Sequence, residues 1–294
     1  MTTIDITTTQ DRHILNLSGI GIKNVLVLGQ YKYKQAKQVL ETHVHNGIIE
    51  ICFLAKGRQM YQINNEIFSL QGGDIIITYP GEPHGSSDYP EEKGNLYWML
   101  IKLPEKNDGI LNLNFRDSGL LINRLLNLDS RQFRGGKEIN HILADIFRSF
   151  NRVADPLKKI EITSNILYFI LKVIDYGEKK FKKEVSPEIE IICKYIGENI
   201  NDELNLDSLA VKINLSLSRF KHRFKEELGV PPKEFILREK IDKAKYLIAH
   251  TSDSFASIAY ELGFSSASYF ATVFKRFTLL TPSQFKLTSS NTIK

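Results

Sequence analysis

Three histidines and a glutamate are the residues of this chain whose types and spacing suggest chemistry at one site. His43 and His45 alternate along a predicted strand, so their side chains share one of its faces. Asn46-Gly47 is a typical type I′ turn, which predicts a hairpin that sets Glu50 opposite His43 on that face. His84 follows a Pro-Gly-Glu-Pro turn and is the fourth candidate for this cluster.

Two kinds of chemistry are open to the cluster. Imidazole and carboxylate groups together are ligands for Zn, Fe, Mn or Ni. The same groups line a small-molecule pocket by hydrogen bonding when apolar walls surround them, and this needs no metal. We expect the second case, with no cofactor, and a metal, if one is bound, would be held by the four clustered residues. The predicted effector-binding residues are His43, His45, Glu50, His84, Tyr97 and Trp98.

Short strands separated by turns are predicted to position this cluster. Turn signals stand at Lys56-Gly57, Asn64-Asn65, Gln71–Asp74 and Pro80–Pro83. Strands at this spacing are typical of a small antiparallel barrel. The strand-like segments cover residues 25–28, 39–45, 48–54, 59–63, 75–79 and 96–103.

Beyond Pro104 the pattern changes to helices, predicted over residues 119–128, 137–152 and 156–176. The third helix has two apolar seams. One would cover the barrel, and the other would either meet a second subunit or pack inside the same chain. The polar run 177–184 is the predicted linker, after which Ser186-Pro187 starts a helix as N-cap and first-turn proline. The seams are Ile160, Leu167, Ile170 and Ile174, and Ile162, Ile166, Phe169 and Val173.

A helix, a tight break and a second helix are predicted over Phe255–Phe277. Ala259 is the small residue at the helix crossing, and Gly263 tolerates the positive φ of the turn. Ser254 or Asp253 would cap the first helix, and Ser265 or Ser266 the second. The opposite face of the second helix is small or polar, as suits a helix in a major groove of DNA. The residues predicted to point inward are Tyr269, Phe270, Val273, Phe274 and Phe277.

The same plan occurs once before in the chain. Ala210 and Asn214 correspond to the alanine and glycine of the later copy, and Asn is the next most tolerant residue for positive φ. Ser216 would cap a helix whose core side carries Phe220 and Phe224. Residues 234–249 are predicted to form the helix that connects the two copies. A duplicated helix-turn-helix is far more specific than a single one.

The run Leu206–Phe285 resembles the DNA-binding domain of the AraC/XylS family of bacterial transcription regulators. It contains LDSLA, SRFKHRFKEELGVPPKEF, IAYELGFSSASYFATVFKRF and TPSQF in order. Lys240 and Lys286 stand where the family usually has Arg, and Leu279 stands where it usually has Gly. The spacing of His43, His45, Glu50 and Gly57 is similar to the first cupin motif. The segment from Gly73 to His84 is similar to the second motif, although it is shortened and no Asn closes it.

The resemblance implies an α+β fold in two domains. Residues 1–180 would form a cupin-like barrel with helices that binds an effector and dimerises, and residues 186–294 an all-α domain with two helix-turn-helix motifs. It implies an effector-responsive, sequence-specific regulator, an activator of carbohydrate-utilisation genes and not an enzyme. The implied partners are double-stranded DNA, a sugar-like small-molecule effector, RNA polymerase and a second copy of the chain.

Matching to the family also implies which side chains contact DNA. Base-contacting positions would be Ser218, Lys221 and His222 in the first copy and Ala267, Ser268 and Thr272 in the second. Phosphate contacts would come from Arg219, Lys225, Lys275 and Arg276.

Composition sets the remaining expectations. The formal net charge of +5 is modest, so the chain is not a general binder of polyanions. Its basic charge is instead concentrated on one predicted helix, at residues 219, 221, 223 and 225. Cys52 and Cys193 fall in different predicted domains, so we expect no disulfide and a reducing cytoplasm. No signal-peptide core is present at the start, and the longest apolar run is too short to span a bilayer, so we expect no membrane association.

Two other functions remain open at this stage. A metal-dependent cupin enzyme with a helical appendage would bind metal stoichiometrically and turn over substrate with residues 1–180 alone. A constitutive DNA-binding regulator, whose barrel only dimerises, would have no small molecule that changes the stability of the barrel.

Overall fold

The computed structural model describes residues 4–87, 89–106, 108–152, 155–179 and 185–292, with side chains up to residue 288. The chain divides into two compact units. The first takes Met1–Tyr33, Val39–Tyr89 and Gly94–Glu184, and the second takes Lys34–Gln38, Pro90–Lys93 and Val185–Lys294. No helix within the described ranges combines the length and apolar character needed to cross a membrane.

The first unit is built on an antiparallel sheet in the order β1-β2-β7-β3-β5-β8, with β4 and β6 paired to the second half of β3. Over the described residues this sheet is open, since no pairing joins β8 back to β1. The predicted class of an antiparallel β domain followed by helices is confirmed, but a closed barrel is not. The strands are β1 (Arg12–Asn16), β2 (Val25–Tyr33), β3 (Ile48–Ile63), β4 (Glu66–Gln71), β5 (Asp74–Thr78), β6 (His84–Gly85), β7 (Gly94–Lys102) and β8 (Gln132–Arg134).

Two predicted turns take a different form. Gly47 has the positive φ of a turn (67°), but residues 39–45 form no strand beside β3. The predicted hairpin is therefore wrong, and Glu50 pairs with Thr78 and Leu100 instead. Lys56-Gly57 is not a turn either, because β3 continues through it with a register shift that marks a β-bulge.

The two faces of the sheet carry separate cores. On β3 the side chains of Ile49, Ile51 and Phe53 face a core shared with the helices of this unit. Cys52 and Leu54 face the second core, which includes Tyr61 and Trp98. Because strand side chains alternate, Glu50 belongs to the same face as Cys52. The polar cluster predicted from the sequence thus lies on the face away from the helices.

Three helices cover the first face: α1 (Phe115–Leu126), α2 (Lys137–Phe150) and α3 (Lys158–Glu178). The seam containing Ile162 and Phe169 is fully buried. Ile170 and Ile174 of the other predicted seam are buried with it, whereas Ile160 of that seam is 63% exposed. The predicted linker begins too early. Gly177 is still helical and buried, since a Cβ there would lie 2.9 Å from Leu128, and residues 180–184 lie outside the described part of the chain.

Apart from the short segments 34–38 and 90–93, the described residues of the second unit form helices around two small cores. Helix α7 joins them, since its Ile236 lies in the first core and its Ile241 and Ala244 lie in the second. The helices are α4 (Pro187–Glu198), α5 (Leu206–Lys212), α6 (Leu217–Leu228), α7 (Pro232–His250), α8 (Phe255–Glu261), α9 (Ala267–Thr278) and α10 (Pro282–Thr292).

Candidate functional site

The first helix-turn-helix consists of α5, a turn and α6. Ala210 is buried at the crossing, and Asn214 adopts the left-handed conformation with a φ of 54°. The Ser216 hydroxyl accepts a hydrogen bond from the backbone N–H of Arg219, which satisfies one of the free donors at the start of α6. The turn residue and the cap predicted from the sequence are both confirmed.

The second helix-turn-helix repeats this construction with α8 and α9. Gly263 has a φ of 64°, and a Cβ at this position would lie 3.0 Å from the Lys240 Nζ. The hydroxyls of Ser254 and Ser266 accept hydrogen bonds from the N–H groups of Ser257 and Tyr269, so these two serines are the caps. The positive φ favours glycine at this turn, and the first motif meets the same geometry with Asn214.

The two motifs pack their second helices in the same way. Phe220 and Phe224 are fully buried, and their rings meet edge to face at 5.5 Å between centroids. Phe270 and Phe274 do the same at 5.6 Å. Each second helix is therefore held by its aromatic side, and its other side is left free for a partner.

Eight of the ten residues that the family resemblance assigns to DNA lie on the free sides of α6 and α9. Ala267 instead packs partly against the second core of the helical unit, and Arg276 lies over the ring of Phe277 with its Nε buried. Ala267 and Arg276 are half-buried, and the other eight are exposed. Among the described residues, no ion pair engages the side chains of Arg219, Lys221 or Lys225. The exposed eight are Ser218, Arg219, Lys221, His222 and Lys225 on α6, and Ser268, Thr272 and Lys275 on α9.

Two residues of these helices lie differently from the prediction. Tyr269 is 42% exposed beside Ser268 and is not part of the core, so it joins the free face of α9. Arg223, counted with the basic residues of α6, instead forms ion pairs with Glu188 and Glu227. The i,i+4 spacing of Arg223 and Glu227 was a signal for their pair. The exposure of Tyr269 and the pair with Glu188 depend on packing against other helices.

In the first unit the four cluster residues converge, although by a different route from the predicted hairpin. His43 and His84 form an isolated bridge, in which each backbone N–H donates to the carbonyl of the other at 2.9 Å. The Nε2 atom of His84 lies 2.7 Å from Oε2 of Glu50, and that of His45 lies 3.9 Å from the same oxygen. One potential ligand atom from each residue lies within 4.8 Å of the others.

The groups of this cluster shift one another's pKa. Burial raises the pKa of Glu50, but the hydrogen bond with His84 and the nearby imidazoles outweigh burial and lower it. Burial lowers the pKa of His84, but the hydrogen bond with Glu50 and its charge raise it. For His45, burial outweighs the attraction of Glu50 and lowers the pKa.

The predicted aromatic residues are not brought together. Trp98 lies on the cluster's face of the sheet, where it packs over Gly29, whereas Tyr97 lies on the opposite face near Phe53 and Phe147. Cys52 also belongs to this site, although it is not among the predicted site residues. Its Sγ lies 3.5 Å from both Glu50 Oε1 and the Tyr61 hydroxyl. Because Cys52 comes two residues after Glu50 in the same strand, the two side chains are expected to share a face.

Two helix-turn-helix motifs in one helical unit, each with an exposed second helix, define a DNA-binding protein. The other unit, a sheet with a convergent polar cluster on one face, has the composition of a small-ligand site. Together they define the class of ligand-binding transcription regulators.

Comparison with known proteins agrees with this class. Residues 209–287 match the family model of a helix-turn-helix domain, and residues 26–167 match that of the AraC-like ligand binding domain. The HTH-type transcriptional activator RhaS of Escherichia coli is 32% identical over 244 residues, which cover 79% of this chain and 82% of RhaS. The chain therefore belongs to the AraC family of transcriptional regulators.

Two further relatives are more distant. The HTH-type transcriptional regulator YdiP of Escherichia coli is 22% identical over 256 residues, 83% of this chain and 80% of YdiP. An HTH-type transcriptional regulator of Staphylococcus aureus is 28% identical over 256 residues, 86% of this chain, but the chain spans only 33% of that relative.

Proposed function

We propose that this protein is an effector-responsive regulator that binds specific DNA sequences through residues 186–294 and a small molecule through residues 1–180. The observation that carries the proposal is the pair of helix-turn-helix motifs, each with a capped second helix whose polar side is exposed. A bacterial-type regulator of this kind works in the cytoplasm, where the chromosome is.

In this proposal α6 and α9 enter successive major grooves on the same side of the DNA. Lys221 donates to the N7 and O6 acceptors of guanine, and Ala267 contacts a thymine methyl group. Ser218, His222, Ser268 and Thr272 complete the base contacts, and the exposed ring of Tyr269 adds surface beside them. Arg219, Lys225, Lys275 and Arg276 bind phosphates and fix the position of the protein along the DNA.

The effector is proposed to bind on the face of the sheet that carries Glu50 and Trp98. This face combines convergent polar groups with apolar and aromatic walls, which is the usual make-up of a small-molecule site. Tyr97 is left out of this proposal because it lies on the other face. That the relative RhaS is named an activator supports activation, through contact with RNA polymerase.

We also propose a homodimer that forms through the outer side of α3. Four large apolar side chains lie exposed along one side of this helix and its first turn, where a monomer would leave them in water. A second copy presenting the same stripe is the simplest partner, because a two-fold interface uses one surface twice. The exposed residues are Leu157, Ile160, Tyr168 and Leu171.

The first experiment is binding of the full-length protein to DNA from its own gene neighbourhood and to random DNA of equal length. It is run at several salt concentrations, with and without a panel of sugars. We expect tighter binding to one neighbouring segment, with an affinity that one sugar changes. Binding indifferent to every sugar would favour a constitutive regulator, and no specific binding would contradict DNA recognition itself.

Two variants separate base reading from phosphate binding. Lys221→Ala should weaken binding to the specific segment by about 1–3 kcal/mol and change binding to random DNA much less. Arg219→Ala on the same helix is the matched control and should weaken both about equally, with a smaller salt dependence. An equal loss on both DNAs for Lys221→Ala would reassign that lysine to phosphate.

A further inference from the structure

His43, His45, Glu50 and His84 of the sheet unit form a close cluster. The ring of His43 lies 4.2 Å from that of His84 and 4.9 Å from that of His45, centroid to centroid. His84 and Glu50 are buried, at 1% and 6% exposure. Three imidazoles thus surround one carboxylate, which can neutralise a single positive charge.

Backbone carbonyls fix the direction of two of these rings. The Nδ1 of His43 lies 2.8 Å from the carbonyl oxygen of Glu41, and the Nδ1 of His84 lies 2.9 Å from that of Glu82. Because a carbonyl only accepts, both Nδ1 atoms must carry the proton and donate. In the neutral imidazole, each Nε2 then presents its lone pair. This arrangement, with the outer nitrogen tied to a carbonyl, is the one that metal-binding histidines use.

The contact between His84 and Glu50 needs a positive charge to be favourable. The neutral His84 Nε2 and the Glu50 carboxylate oxygen are both acceptors, yet they lie 2.7 Å apart. Either a proton on His84 or a cation shared by both residues removes the repulsion. A cation can also take a ring nitrogen of His43 and of His45, since one potential ligand atom of each residue lies within 4.8 Å of the others. The buried Nδ1 of His45 has no hydrogen-bond partner among the described residues.

The turn that carries His84 is braced from outside. Arg131 donates to both carboxylate oxygens of Glu82, at 2.7 and 2.9 Å, and Glu82 also accepts from the N–H of Tyr79 at 2.8 Å. At Gly85 a Cβ would lie 2.7 Å from the carbonyl oxygen of Leu40, so glycine lets β6 approach the segment that bears His43. The rings of His43 and His84 are therefore held by contacts within the protein itself.

We propose that His43, His45, Glu50 and His84 bind a divalent first-row transition metal. Three imidazole nitrogens and one carboxylate suit Zn²⁺, Ni²⁺, Co²⁺ or Fe²⁺, whereas Ca²⁺ and Mg²⁺ prefer ligand sets made of oxygen. The metal sits at the site proposed above for the effector, and the inference deepens and rests on that assignment. Metal binding is measured without DNA or sugar. A protein that binds no metal can therefore be distinguished from a protein that does not bind specific DNA.

The test is Co²⁺ binding to the untagged full-length protein after treatment with a chelator. Metal content is measured by mass spectrometry after dialysis, and the visible absorption of bound Co²⁺ reports imidazole coordination. We expect about one Co²⁺ per chain. His45→Gln should weaken binding at least about tenfold, because losing even an outer partner of a ligand weakens metal affinity by about 10- to 100-fold.

His141→Gln is the matched control, since it removes an exposed histidine from α2, far along the chain from the four ligands. It should bind Co²⁺ as the wild type does. Glu50→Gln should also lose the metal. If that buried substitution disturbs folding by circular dichroism, the His45 variant decides, since the His45 side chain keeps some exposure (12%). No Co²⁺ in the wild-type protein, or equal binding by the His45 and His141 variants, would overturn the proposal.

Discussion

Leu279 occupies a position that L-amino acids other than Asn and Asp rarely accept. It ends α9 in the left-handed conformation with a φ of 65°, and its N–H donates to the carbonyl of Lys275. The corresponding residue after α6 is Gly229, with a φ of 71° and the same bond to Lys225. One repeat therefore meets the geometry with glycine and the other with leucine, at a cost of roughly 1–2 kcal/mol.

Leu279→Gly should consequently stabilise the protein by about 1 kcal/mol, because it removes the clash between Cβ and the backbone. The measurement is urea unfolding of the full-length protein followed by circular dichroism. Gly229→Ala is the control and should destabilise it by a similar amount. A loss of stability in Leu279→Gly would mean that packing of the leucine side chain outweighs the backbone strain.

Among single residues, the turn and cap residues could be predicted from the sequence because local backbone geometry determines them. Asn214, Gly263, Ser216 and Ser266 were identified because a turn or a helix start restricts the residue types that fit there. Tyr269 was placed in the core because helical spacing cannot tell which flank of an apolar stripe the neighbouring helix covers.

At the scale of elements, the start of α4 is tied to α6 by one carboxylate. Glu227 of α6 accepts hydrogen bonds from the N–H and the hydroxyl of Ser186, at 2.9 and 2.7 Å, and from Arg223 at 2.8 Å. The sequence predicts Ser186 as the N-cap of α4, and Ser186 does occupy that position. Its hydroxyl, however, donates to Glu227 and makes no capping hydrogen bond within α4. Arg223 also pairs with Glu188, so both helices share this network.

This network predicts a stability that falls in acid. Burial raises the pKa of Glu227, but the bonds from Ser186 and Arg223 outweigh it, and the pKa lies below its ordinary value of 4.5. A carboxyl whose pKa is lowered by folding contributes stability above its unfolded pKa and loses it as the pH falls through the folded pKa. Glu227→Gln should therefore be less stable than the wild type at pH 7, with the difference shrinking below pH of about 4.

Urea midpoints of the two proteins from pH 7 down to pH 3 measure this difference. Glu226→Gln, one residue away and exposed, is the control and should change the profile much less. A difference between Glu227→Gln and the wild type that stays constant with pH would show that the carboxylate's charge does not hold α4.

The pairing of the strands is harder to predict than the turns at their ends. The turn signal at Asn46-Gly47 correctly indicated positive φ at Gly47, but it does not determine which strand pairs with which. Glu50 pairs with residues of β5 and β7, which come later in the chain. His43 forms an isolated antiparallel bridge with His84, which is also distant in the sequence. The cluster was predicted from residue types and spacing, while the pairing that assembles it is non-local and could not be read from the turn.

At the scale of the whole molecule, the proposed dimer depends on the exposed side of α3. Ile160 and Leu171 are 63% and 45% exposed on one side of α3, while the opposite side of the helix is fully buried against the sheet. A row of large apolar side chains exposed on one side of a helix marks a surface that a partner covers. The two predicted seams do not divide in this way. Ile170 and Ile174 of the first seam are buried together with the second seam, and the exposed stripe includes Leu171, which neither seam contained.

We therefore expect the double variant Ile160→Glu with Leu171→Glu to be a folded monomer. Placing carboxylates in the centre of the apolar contact should weaken dimerisation by about 100-fold or more, since each 1.4 kcal/mol is a factor of ten. Sedimentation equilibrium measures the dimer constant, and circular dichroism checks folding. Ile67→Glu, on exposed β4, is the control and should leave the dimer intact. A double variant that still dimerises like the wild type would place the interface on another surface.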